Sequence, residues 1–140
     1  MESEFSSLFH QINYEIEAFI QKNYLVNCSV KERFLSWWLS FARFSNERPF
    51  DLIYMDELTS SHLYPKMGKE ASTSYYMERR AIYQKGIEEG LIQNINLSWI
   101  NQFVRSAITN VIKVNIAQGG KTEDEQLIWM VEACWNGIKV

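Results

Sequence analysis

The residues able to carry chemistry in this sequence are few, and their spacing suits little of it. There are two histidines, His10 and His62, and two cysteines, Cys28 and Cys134. A zinc or di-iron site in a helical protein needs ligands repeated on one face, as in His-x-x-x-His, Cys-x-x-Cys or Glu-x-x-His. None of these spacings occurs. His62 falls among turn-forming residues, where solvent is its expected surroundings. Cys28 follows no helix-dipole cue and has no neighbouring base to hold a thiolate, so it is not expected to act as a nucleophile. Cys134 falls on an apolar stripe and reads as a small packed hydrophobe. Asp51, Asp56 and Glu57 are close in sequence, but acids near a helix start serve the helix dipole more often than acid–base chemistry. No catalytic, metal or cofactor site can be assembled, and a non-enzyme is expected.

Binding is better provided for. Aromatic residues make up 14% of the chain. Trp37, Trp38, Phe41, Tyr54, Tyr76, Tyr83 and Phe103 are candidates to line a pocket, with tyrosine hydroxyls and indole N–H groups as its polar contacts. Each taken alone reads equally as core. Together they predict a cavity for a small, mostly apolar ligand, with Trp38, Phe41, Tyr76 and Tyr83 as its walls.

The elements that must position these rings are helices. Residues 3–24 carry Phe5, Leu8, Phe9, Ile12, Ile16, Phe19 and Ile20 at helical spacing. Ser29 and Glu32 form a capping box that opens a helix to about Asn46. That helix is apolar almost all round, with only a strip of Ser36, Ser40 and Arg43, so it should sit enclosed at the centre. Pro49 starts a short helix to about Glu57, with Phe50, Ile53, Tyr54 and Leu58 inward. Residues 59–68 read as a break. A long helix over residues 66–89 stops at Gly90, a left-handed C-cap trailed by Leu91. The expected cavity lies between this helix and the central one. Asn96 caps a helix to about Gln118, ended by Gly119-Gly120, and a second capping box at Thr122 and Glu125 opens the last helix. No strand pattern, repeat or low-complexity tract occurs. The prediction is one all-α domain over residues 1–140, a bundle of about six or seven helices.

The last two helices have apolar arcs about half the circumference wide or wider, whereas one partner needs little over 100°. A second copy related by a two-fold axis is the usual extra partner. The expected homodimer is a four-helix bundle of these helices, with Val104, Ile108, Ile112, Trp129, Ala133 and Trp135 at the interface. Ala107, Ala133 and Gly137 would allow close approach.

Composition narrows the setting. The 140 residues carry a net charge of −3, and the only adjacent basic pair is Arg79-Arg80. Phosphate neutralisation needs clustered Lys and Arg, so specific DNA binding by this chain is not expected. Apolar runs are too short for a membrane span, and two cysteines without a signal peptide fit a cytoplasmic setting with both thiols free.

Two segments resemble the TetR family of transcriptional regulators. Tyr83-Gln84-Lys85-Gly86-Ile87-Glu88-Glu89-Gly90-Leu91-Ile92 is similar to the stretch where a long helix of that family ends before its dimerisation helices. Glu132-Ala133-Cys134-Trp135-Asn136-Gly137-Ile138 is similar to its last helix, and the run from Phe34 to Arg48-Pro49-Phe50 resembles its central helix and following turn. The resemblance implies a ligand-binding and dimerisation domain, with DNA reached only through an N-terminal three-helix module that residues 3–24 would connect to it. That module is not in this chain, as a truncation or as a natural absence. Ligand binding would then shift the position of the connector and the spacing of two DNA heads across the dimer. Three classes compete: a ligand-sensing regulator domain first, a homodimeric helical scaffold without a ligand second, a small enzyme last.

Overall fold

Phe9, Ile12, Ile16 and Ile20 recur at steps of three and four residues, and such a stripe buries itself only as one face of a helix. In the computed structural model they are at most 5% exposed along α1, Glu2–Asn23. The structure describes residues 2–23, 25, 27–59 and 74–140, with side chains for 7–23, 25, 27–58 and 77–140. Leu8, expected on the same stripe, is exposed on its flank.

The next helix, α2, is Val30–Glu47, and Ser29 caps it by accepting the Glu32 N–H at 3.2 Å. The polar strip expected along it is narrower than the sequence suggests. Ser40 is buried and its hydroxyl donates to the Ser36 carbonyl at 2.8 Å, satisfying itself within the helix. Pro49 opens α3, Pro49–Thr59, two residues longer than expected. Leu52, Met55 and Leu58 point into the core, but Phe50, expected inward, lies exposed on the first turn.

Ser74–Glu88 forms α4. The part of this helix expected over residues 66–73, with Met67 and Ala71, lies outside the described residues, as does most of the break before it. Gly90 ends α4 at φ 72°, and the Leu91 N–H reaches back to the Gly86 carbonyl at 2.9 Å. A left-handed residue at this place closes the last turn, as the sequence predicts. Leu97–Ala117 is α5, capped by Asn96 through the Ser98 N–H at 2.8 Å.

The final helix, α6, is Asp124–Ile138, and its cap corrects the sequence reading by one residue. Glu123 and Gln126, not Thr122 and Glu125, form the capping box. Thr122 is committed elsewhere: Asn115 donates to its hydroxyl at 2.6 Å, and Asn46 exchanges two hydrogen bonds with its backbone.

Among the described residues the fold is all-α, six helices plus one isolated antiparallel bridge between Ile92 and Lys139. The enclosed character of α2 is realised, since it packs against each of the other five. Buried residues of all six helices join in one apolar cluster. Charged contacts tie its rim. Arg43 grips Asp124 with two 2.9 Å bonds, Arg48 holds Glu15 and Asp51 together, and Lys113 pairs with Asp56.

Candidate ligand site and apolar face

α2 faces α4 with consecutive indoles, and a helix can bury neighbouring positions only when it is covered on two sides. Trp37 and Trp38 are both essentially inaccessible to solvent. Their rings meet edge to face at 4.9 Å, and Trp38 meets Phe41 the same way at 5.4 Å. From α4 the buried Tyr83 hydroxyl accepts the Trp38 Nε1–H at 2.9 Å. Burial pushes the Tyr83 phenol well above its ordinary range, although the Arg79 charge and the Trp38 bond act the other way. The hydroxyl is therefore neutral near pH 7.

Arg79 stands one turn before Tyr83 on the same face of α4. Its guanidinium carbon lies 5.2 Å from the Trp37 ring centre and 5.6 Å from that of Trp38. A cation at this range is attracted to the ring quadrupole, and more so where the site is partly desolvated. Tyr54, on α3, is half-buried. Its hydroxyl is buried without a hydrogen-bond partner among the described residues, and desolvation raises its pKa. A buried hydroxyl left unpaired costs free energy that a ligand could recover.

Of the expected pocket residues, the structure brings together Trp37, Trp38, Phe41 and Tyr83. Tyr54 stands on the neighbouring α3, and the Tyr76 side chain lies outside the described residues. Phe103 is not at this site. It is half-exposed on the outer side of α5. Sequence reading missed Arg79, whose spacing of four from Tyr83 was the available signal, and Phe34, whose ring lies 5.3 Å from Trp135 and 6.3 Å from Tyr83.

The expected interface residues divide in two. Val104, Ile108 and Ile112 are at most 1% exposed within a single copy of the chain, and Trp135 is buried against Phe34. They face the chain's own core and not an outer surface. The reason is geometric: steps of four residues drift only about 40° on a helix, so Ile100, Val104, Ile108 and Ile112 keep to one side. Trp129 and Ala133 are exposed. The outward face also carries Trp99, Phe103 and Val114 from α5. Gly137 lies against the same face, where an added Cβ would fall 3.1 Å from the Phe103 ring. Trp99, Gln102, Phe103, Ser106, Ala107 and Asn110 line an open depression on the same side.

A sequence model of the family described as "Tetracyclin repressor-like, C-terminal domain" matches residues 9–140. The chain belongs to this family. Solved structures agree with the TetR-like fold. A TetR family transcription regulator from Marinobacter aquaeolei VT8 superposes with a TM-score of 0.85 at 16% identity, over 99% of this chain and 73% of that one. A protein from Shewanella sp. PV-4 assigned to the same family gives 0.79 at 13% identity, over 99% and 75%. A Rhodococcus sp. RHA1 protein of unknown function gives 0.67 at 16% identity, over 99% and 73%. No curated protein matches the chain by sequence. In this TetR-like domain, the described residues include no group of three His, Cys, Asp or Glu placed to hold a metal ion, and no helix long and apolar enough to cross a membrane. Both cysteines are free thiols, and burial pushes Cys134 up to about 11.

Proposed function

We propose that this chain is the dimerising and small-molecule-sensing part of a TetR-like transcriptional regulator, acting in the cytoplasm as one domain over residues 1–140. The observation that carries the reading is the outward face of α5 and α6. Trp99 and Trp129 are each 70% exposed there, beside Phe103 and Val114. Two indoles left in water forgo about 1.5–3 kcal/mol each of the free energy that burial supplies. A two-fold related copy covers such a face with an identical one, and the small side chains of Ala107 and Ala133 leave room for its side chains. The interface therefore centres on Trp99, Phe103, Trp129 and Ala133. Sedimentation of the chain as a monomer at micromolar concentration overturns this.

The sensing part rests on the α2–α4 aromatic cluster and the Tyr54 hydroxyl, which has no hydrogen-bond partner among the described residues. A small, mostly apolar ligand fits rings with a few polar contacts. Ligand binding to the folded state raises the melting temperature by an amount that grows with concentration. A titration series of small apolar compounds tests it. The ring-on-ring packing of Trp37, Trp38 and Phe41 also suits a homodimeric scaffold with no ligand, and a melting temperature indifferent to every compound selects that reading. DNA is reached through a separate N-terminal reader. The dispersed basic residues support this, and sequence-dependent duplex binding by the 140-residue chain at physiological salt overturns it.

A further inference from the structure

Helix α6 ends without a left-handed cap, its C-cap residue Lys139 donating its N–H to the Trp135 carbonyl. Where α4 closes on the left-handed Gly90, α6 runs out through Lys139 in extended backbone at φ −66°. Helix ends leave their last carbonyls without intrahelical donors. Here one residue from a distant loop serves three in succession. The Gln93 side-chain amide donates to the Gly137 carbonyl at 3.3 Å and to the Lys139 carbonyl at 3.0 Å, and its backbone N–H donates to the Ile138 carbonyl at 2.9 Å. The Val140 N–H returns the contact to the Leu91 carbonyl at 3.0 Å.

The same loop is fastened to α4. The Gly86 carbonyl accepts from both Leu91 and Ile92, at 2.9 and 3.1 Å. Ile92 lies so close over Gly86 that a Cβ there would fall 2.4 Å from its Cδ1. Tyr83 is one turn before Gly86. At the other end, Gly137 rests against the Phe103 ring of the outward face. The path from the Trp38–Tyr83 bond to Phe103 is thus continuous in covalent, hydrogen-bonded and packed contacts.

We propose that Gln93 is a positioning residue that couples α4 to the outward face of α6, so that a displacement of α4 at the aromatic cluster changes the dimerisation surface. The inference rests on the dimer reading above. Coupling between two sites is reciprocal, so association of two copies also holds α4 in place.

Hydrogen exchange on the 140-residue chain tests the coupling. Gln93→Leu, which keeps the bulk and the backbone bond to Ile138 but removes the side-chain donor, should speed exchange of amides 135–140 about five- to ten-fold. Gln93→Arg restores donors and should stay within about two-fold of the native chain, which mere loss of a loop side chain would not. Tyr83→Phe, which breaks the α2–α4 bond to Trp38 and leaves the Gln93 contacts in place, should also speed exchange at 135–140, and this effect should vanish in the Gln93→Leu background. Unchanged exchange at 135–140 in Gln93→Leu, or a Tyr83→Phe effect confined to α4, overturns the proposal. Sedimentation of the same variants separates the two ideas. A native monomer overturns the dimer reading, while the exchange pattern still decides the coupling.

Discussion

Helices α2 and α5 are both apolar over more of their surface than one neighbour requires, yet the protein uses the surplus in opposite ways. On α2 the adjacent Trp37 and Trp38 are both enclosed, because five helices of the same chain surround it. On α5 adjacent residues part company: Phe103 is half-exposed and Val104 fully buried, and Trp99 is exposed beside the buried Ile100. A wide apolar arc therefore states how many partners a helix needs, but not whether its own chain supplies them. That depends on whether the helix lies at the centre of the bundle or on its rim.

The sharpest way to break this comparison is to place a charge on each side of α5–α6. Ile108→Glu puts a carboxylate where no water reaches, and should cost about 4 kcal/mol or more, unfolding much of the population; denaturant titration reads it. Next, Trp37→Ala should cost about 3–5 kcal/mol through the cavity it leaves among α2 partners, measured in the same way. Trp129→Glu should instead leave the unfolding free energy of the isolated chain within about 0.5 kcal/mol and weaken self-association by two orders of magnitude or more, seen by sedimentation. If Trp129→Glu unfolds the chain as Ile108→Glu does, the two faces are not different. Tyr83→Phe should cost about 1–3 kcal/mol, since it strands the buried Trp38 N–H. The smallest effect belongs to the rim. Arg43 holds the Asp124 carboxyl below its ordinary value by hydrogen bonding. A depressed folded-state pKa stabilises above the unfolded value near 4 and is lost as pH falls through the folded value. In this mostly exposed pair Asp124→Asn should cost about 0.2–1 kcal/mol at pH 7, with a difference from native that closes below pH 4 in acid unfolding.

Much of the fold was legible because its signals are local. Ser29, Asn96, Pro49 and Gly90 act within one turn of themselves, and each sits at the helix boundary expected of it. Thr122 misled because its hydroxyl and backbone are taken up by Asn115 and Asn46, the latter 76 residues away. No spacing rule contains such a partner. The same limit explains Phe103 and Ile108. Periodicity gave the width of their arc, but the side facing the core is set by where α5 meets α2, α3 and α6. Gln93 was invisible for a related reason, since a polar loop residue announces nothing about the helix end it caps.

The division of the tryptophans also gives the protein a built-in optical readout. Trp37, Trp38 and Trp135 are shielded by other side chains, while Trp99 and Trp129 stand in solvent. Fluorescence of the two outer indoles should shift to the blue and resist a water-borne quencher such as iodide once a second copy covers them. The inner three report instead on the tightness of the aromatic cluster. Two events that leave helix content unchanged would thus change light emission in separable ways, without any label attached to the chain.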